Sequence, residues 1–180
     1  MVLLRGFSQV QSIPSIREMY KLDSCVIASY PMYKGLGQMV GMRIIDSGDT
    51  FESEMSSLLS NYSSHNFVYL HFKAADEAGE DGNFNAKVEA LEYVDKFIPD
   101  LISLNPDVLI VAGDHSTPAI IGGHSWHPVP FLLHSEWTRG DGIDGFTEKG
   151  CRNGSLGNIS ATDVMSLAMA HSGKLSKYGA

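Results

Sequence analysis

Val108–Pro130 reads VLIVAGDHSTPAIIGGHSWHPVP. Val108 to Val111 are apolar and mostly β-branched, enough for one buried strand. The run stops at Ala112-Gly113, and Asp114 and His115 then stand side by side where the strand should end. His124 lies further along the loop, followed by His127 and the turn Pro128-Val129-Pro130. Open α/β sheets bind ligands at the carboxyl ends of their strands. An acid and an imidazole there, with another histidine on the next loop, form a donor set for a divalent ion. Carboxylate with imidazole suits manganese, zinc or iron better than calcium or copper(I). A lone Gly-Asp-His also occurs in ordinary strand-to-loop turns. A separate acidic segment, Asp76–Asp81, adds to the case for a metal.

Working outward, the chain has 180 residues, 43% of them hydrophobic and 19% charged. This is a globular composition, sized for one core and short for two ordinary domains. A net charge of −8 argues against phosphate-backbone contacts, which need clustered Lys and Arg. No apolar run approaches a membrane span and no signal peptide is visible. The expectation is a cytoplasmic chain with no nucleic-acid or membrane partner. Cys25 and Cys151 lack CxxC spacing and read as reduced thiols.

Taken in order, Val2–Leu4 is a strand candidate. Ser12–Ser15 reads as a turn and helix start, running to about Tyr20. Ser24–Ser29 is a buried strand. Tyr30–Gly35 reads as a loop before a glycine-rich helix, Leu36–Met42, which puts Lys34 just past a strand end; a plain solvated lysine is the alternative there. Thr50–Tyr62 is a helix and Phe67–Phe72 a strand, with His71 packed in the core or placed behind a ligand. Lys73–Asn83 reads as an acidic loop. If it made a helical turn, Asp76 and Glu80 would face one way and could share a cation; a solvated acidic loop fits the sequence as well. Phe84 to Leu101 carry helical periodicity, interrupted at Pro99. Val129–Leu133 is another strand. Thr162–His171 is a terminal helix with Thr162 as its cap. Strands alternating with helices give an α/β three-layer sandwich with a largely parallel sheet.

Three segments carry a resemblance together: YPMYKGLGQMVGM (30–42), HFKAADEAGEDGNFNAKVEALEYVD (71–95), and VAGDHSTP with HSWHPVPFLL (111–118 and 124–133). They resemble the archaeal-type, cofactor-independent phosphoglycerate mutases of the alkaline phosphatase superfamily. The resemblance covers nearly the whole chain but only the later part of that family. It implies an alkaline-phosphatase-like fold incomplete at its N-terminal side, with residues 1–180 forming the C-terminal, metal-binding part. The implied reaction interconverts 2-phosphoglycerate and 3-phosphoglycerate in glycolysis and gluconeogenesis, without 2,3-bisphosphoglycerate. A phosphoserine is the intermediate, and two divalent metals take part, manganese first, with magnesium or zinc as alternatives.

By this resemblance Asp114 and His115 match the pair holding the metal nearest that serine, and Asp76 and His124 match ligands of the other. The position four after Asp76 is commonly His in the superfamily; here it is Glu80, which can still ligate. Lys34 and Arg5 match basic residues expected at the substrate's phosphate or carboxylate. The nucleophilic serine and one more metal aspartate belong to the family's front half. Ser116 reads instead as a loop cap or a donor behind the ligands. The expectation is a chain inactive alone, whose partner is the missing half or an oligomer mate. Val2–Leu4, Cys25–Ala28 and Val108–Val111 are the strand edges such a loss would expose. Other readings are a different metal-dependent phosphatase or phosphodiesterase of the superfamily, and a non-catalytic homologue that binds a metal or a partner.

Overall fold

A computed structural model describes residues 12–175; the Val2–Leu4 strand and Arg5 lie outside the described residues. The chain divides into two compact units between Lys73 and Ala74.

The first unit is a three-stranded parallel sheet with helices. Helix α1, Ile16–Tyr20, starts at a reciprocal cap: Ser15 Oγ accepts from Glu18 N–H, and Glu18 Oε2 accepts from Ser15 N–H at 2.8 Å. Strand β1, Ser24–Ile27, lies between β2, Arg43–Ile45, and β3, Phe67–Leu70, and pairs parallel with both. Its side chains are all buried, the pattern of a central parallel strand covered on both faces. Cys25–Ala28 is therefore no exposed edge, because β1 has a neighbour on each side. Strand β2 is three residues long, too short for its sequence to show a period.

Between β1 and β2 runs helix α2, Pro31–Met39. It begins five residues before the expected Leu36, because Pro31 sits at its first turn, where the missing N–H costs nothing and the fixed φ is already helical. Lys34 is thus on a helix and not on a loop. Gly37 lets α2 lie close on the sheet: a Cβ there would come 2.6 Å from Val26 Cγ1. Val26, Ala28, Tyr33 and Met42 form the core, with Ile16, Val40 and Phe67 packed around them. The His71 ring stacks on Tyr33 at 3.6 Å between centroids, in keeping with the packed role. Both cysteines are free thiols, and burial pushes the Cys25 thiol up to about 11.

Helix α3, Phe51–Asn61, is capped by Thr50 and carries Glu54, which is only 2% exposed. Ser29 N–H, just past β1, donates to Glu54 Oε1. Burial raises the Glu54 carboxyl above the ordinary glutamate range, against the lowering pull of the Ser29 hydrogen bonds and of Lys34. A raised folded-state value means that the folded chain holds the proton more tightly than the unfolded chain. That contribution to stability is complete below the ordinary glutamate range and is lost as pH rises through the raised value. Glu54→Gln should remove this dependence while keeping an oxygen for Ser29 N–H. Urea melts from pH 4 to 8 should show wild type losing stability relative to the variant as pH rises. Parallel curves would refute it.

The second unit holds α4, Ala74–Glu80; α5, Phe84–Asp95; α6, Ile98–Ser103; β4, Val108–Ala112; β5, Phe131–Ser135; α7, Glu148–Cys151; and α8, Val164–His171. Segment 73–83 is therefore mostly helix, not loop. Gly82, at φ 67°, ends α4: Asn83 N–H reaches Ala78 O at 2.9 Å and Gly82 N–H reaches Gly79 O at 3.1 Å. That left-handed closure favours glycine. Asn83 Oδ1 then accepts Ala86 N–H and caps α5. The break foreseen at Pro99 falls between α5 and α6, with Pro99 in the first turn of α6. The terminal helix opens through a short 3-10 turn, Ala161–Asp163, capped by Ser160 and not by Thr162.

Strands β4 and β5 pair antiparallel, from Val108 with Ser135 to Ala112 with Phe131. The sheet is expected to be largely parallel, and this antiparallel pair has a topological reason. Parallel neighbours need a long crossover, and the segment between these strands holds no helix to carry the chain back. It doubles on itself instead, and Ser116 and Ser125 form an isolated antiparallel bridge.

Candidate metal centre

That bridge builds the site. Ser125 N–H donates to Ser116 O at 2.8 Å, and the turn between closes at Pro118 O with Gly122 in the left-handed region at φ 64°. The residues flanking the bridge are therefore held face to face, and the His115 and His124 rings lie 3.8 Å apart. Helix α4 supplies the acid. Asp76 Oδ1 is 3.8 Å from His115 Nδ1 and 3.8 Å from His124 Nε2. Asp76, His115 and His124 each offer a donor atom within 4.8 Å of the others.

Glu80, one turn after Asp76 on α4, places Oε1 3.2 Å from His124 Nε2. Asp114 Oδ2 is 3.6 Å from His115 Nε2, while its Oδ1 accepts the His115 N–H at 3.0 Å. The structure thus gathers all five sequence candidates of this unit into one cluster, with Asp76 the most enclosed and Glu80 and Asp114 at its open side. Lys34 stays in the first unit, half-buried, where its charge bears on Glu54. His127 turns away: its Nδ1 is 2.9 Å from Ser125 Oγ and its ring stacks on Trp126.

A divalent ion fits these donors. Ligands about 2.1 Å from a tetrahedral ion stand about 3.4 Å apart, and the pairs His124 Nε2–Asp76 Oδ1 at 3.8 Å, His124 Nε2–Glu80 Oε1 at 3.2 Å and His115 Nε2–Asp114 Oδ2 at 3.6 Å all lie close to that spacing. Carboxylate and imidazole oxygen and nitrogen donors suit a hard or borderline ion.

The sequence reading missed Thr117, which is 3% exposed. Its Oγ1 is 2.5 Å from Asp76 Oδ1 and 3.0 Å from His115 Nδ1. The role allowed for Ser116, a donor behind the ligands, is one that Thr117 fills, while Ser116 gives its carbonyl to the backbone bridge. The signal was available: in extended chain, residues two apart share a face, so His115 and Thr117 point the same way. Lys87, on α5, donates from Nζ to the Thr117 carbonyl at 2.5 Å. Gly79 lets α4 approach, since a Cβ there would strike that carbonyl oxygen.

A family model described as the Metalloenzyme superfamily matches residues 2–171. The chain is an α/β protein and belongs to that superfamily. A probable 2,3-bisphosphoglycerate-independent phosphoglycerate mutase of Thermotoga maritima is 48% identical over 178 residues, which is 99% of this chain and 44% of the relative. Its counterpart from Thermus thermophilus is 48% identical over 181 residues, 99% of this chain and 45% of the relative. The chain therefore spans less than half the length of the curated relatives it matches. Among solved structures, the PH0037 protein from Pyrococcus horikoshii superposes with a TM-score of 0.86 at 27% identity, covering 93% of this chain and 54% of that one. A cofactor-independent phosphoglycerate mutase from Thermoplasma acidophilum gives 0.71 at 27% identity, covering 89% and 39%. No helix among the described residues is long and apolar enough to cross a membrane.

Proposed function

We propose that this chain carries the metal-binding part of a cytoplasmic, cofactor-independent phosphoglycerate mutase, acting on 2-phosphoglycerate and 3-phosphoglycerate. The observation that carries the reading is the convergence of Asp76, His115 and His124 in a chain 48% identical to such mutases along 99% of its length.

Asp114 with His115, and Asp76 with His124 and Glu80, are the two donor groups for two divalent ions, manganese first. Such a pair supplies Lewis-acid charge at the transferring phosphoryl group and at the attacking hydroxyl. The residues do the rest. Asp76, Asp114 and Glu80 set the negative charge of the site and so hold the cations. The bridge between Ser116 and Ser125 holds both imidazoles in place before substrate arrives. Lys34 and Arg5 are the basic groups for the substrate's phosphate and carboxylate. The serine that carries the phosphoryl group is supplied by a part of the relatives that this chain does not match.

The test is complementation. The chain is purified alone and also co-expressed with the unmatched part of the Thermotoga maritima relative, both with Mn2+. Interconversion of the two phosphoglycerates is expected only from the pair. Robust turnover by the chain alone would overturn the placement of the nucleophile. A soluble pair that only hydrolyses phosphate esters would overturn the mutase reading.

A further inference from the structure

Thr117 sits between two members of the cluster with a single hydroxyl proton to give. The hydroxyl has one O–H and two lone pairs. Its neighbours are Asp76 Oδ1 at 2.5 Å and His115 Nδ1 at 3.0 Å. A carboxylate only accepts, so the hydroxyl proton goes to Asp76. The same oxygen can then only accept from His115. For that bond to exist, His115 Nδ1 must carry the ring proton. In the neutral imidazole that a metal needs, the other nitrogen, Nε2, is left with a bare lone pair.

The far side of the ring agrees. His115 Nε2 and Asp114 Oδ2 are 3.6 Å apart, too long for a hydrogen bond. With Nδ1 protonated, the Nε2 lone pair lies beside Asp114 Oδ2, at a spacing that lets the two ligate one cation. The near side is rigid. Thr117 is buried, its carbonyl is fixed by Lys87 Nζ at 2.5 Å, and α4 is brought against it at Gly79.

We propose that Thr117 is a positioning residue that locks His115 as its Nδ1–H tautomer, aims Asp76, and so presents His115 Nε2 to a divalent cation beside Asp114. This rests on the reading of the cluster as a metal centre. Groups that orient a metal's ligands in this way change affinity by about 10–100-fold when removed.

The experiment uses the full chain and two readouts that do not depend on activity. Long-range 1H–15N spectra of the histidine rings, recorded without metal, should show the Nδ1–H form for His115 in wild type and in Thr117→Ser. Thr117→Val, which keeps the shape and loses the hydroxyl, should show a mixture or the Nε2–H form. Mn2+ titration followed by electron paramagnetic resonance should give binding about 10–100-fold weaker in Thr117→Val and close to wild type in Thr117→Ser. If Thr117→Val fails to fold, the wild-type tautomer alone decides: Nε2–H overturns the proposal. Equal Mn2+ affinity in wild type and a folded Thr117→Val overturns the role and leaves the metal centre standing. A wild-type chain that takes up no Mn2+ overturns the metal centre and the role together.

Discussion

Asp76→Ala should lower the affinity of the chain for Mn2+ or Zn2+ by at least about a hundredfold, beyond the range expected for losing a group that only orients a ligand. Asp76 is the one carboxylate whose oxygen lies 3.8 Å from both imidazoles. It is also the most enclosed acid of the cluster, at 18% side-chain exposure against 47% for Glu80 and 45% for Asp114. Without it His124 keeps only Glu80, and the Thr117 hydroxyl loses the acceptor that turns its lone pair to His115, so both donor groups are weakened. Glu80 approaches only His124, and Asp114 only His115, from opposite ends. The measurement is thermal: a ligand bound only by the folded state stabilises by about 2.7 kcal/mol at a hundred times its dissociation constant. Wild type should gain that much with Mn2+, and Asp76→Ala should gain no more than about 0.4 kcal/mol at the same concentration. His127→Ala is the control, since His127 hydrogen-bonds Ser125 outside the cluster, and it should keep the full gain. An Asp76→Ala chain that melts like wild type in Mn2+ would refute the assignment.

What was legible in the sequence was what a short range of chain can dictate. Val108–Val111 was readable because β-branched apolar runs have few other uses, and the break at Pro99 because its ring removes a helix hydrogen bond. The donors were readable because acids and imidazoles after a strand are few and chemically distinct. The features that no short stretch could show have long-range causes. Strand β5 runs antiparallel because of how 113–130 folds back, which depends on a single bridge between Ser116 and Ser125. Helix α4 looked like an acidic loop because its apolar face is short, only Ala78 and Gly79 being buried. Its stability comes from the closure at Gly82 and from packing, not from composition. Thr117 escaped notice because a hydroxyl gains its role only when Asp76, 41 positions earlier, arrives beside it.

Gly79→Ala should cost both stability and cation binding, although an alanine is ordinarily the better helix residue. Two effects oppose each other. Replacing glycine by alanine inside a helix gains about 1 kcal/mol. Against this, the added Cβ would collide with the Thr117 carbonyl oxygen and come 3.0 Å from both Lys87 Nζ and Thr117 Cγ2. The lysine tip can swing aside. The carbonyl cannot, because it belongs to the segment that holds His115, and Lys87 already binds it. Overpacking against fixed atoms costs about 1–3 kcal/mol, so the clash outweighs the propensity. A net loss of up to about 2 kcal/mol should lower the melting temperature by up to about 8 °C in a chain of this length. Relief of the clash pushes α4 outward and takes Asp76 away from both imidazoles, so Mn2+ affinity should fall with it. Gly35, inside α2, separates this cause from a general one. A Cβ there meets nothing within 4 Å, so Gly35→Ala should raise stability by up to about 1 kcal/mol and leave Mn2+ binding unchanged. If the two substitutions shift the melting temperature in the same direction, the close approach of α4 to Thr117 is not what holds Asp76 in the cluster.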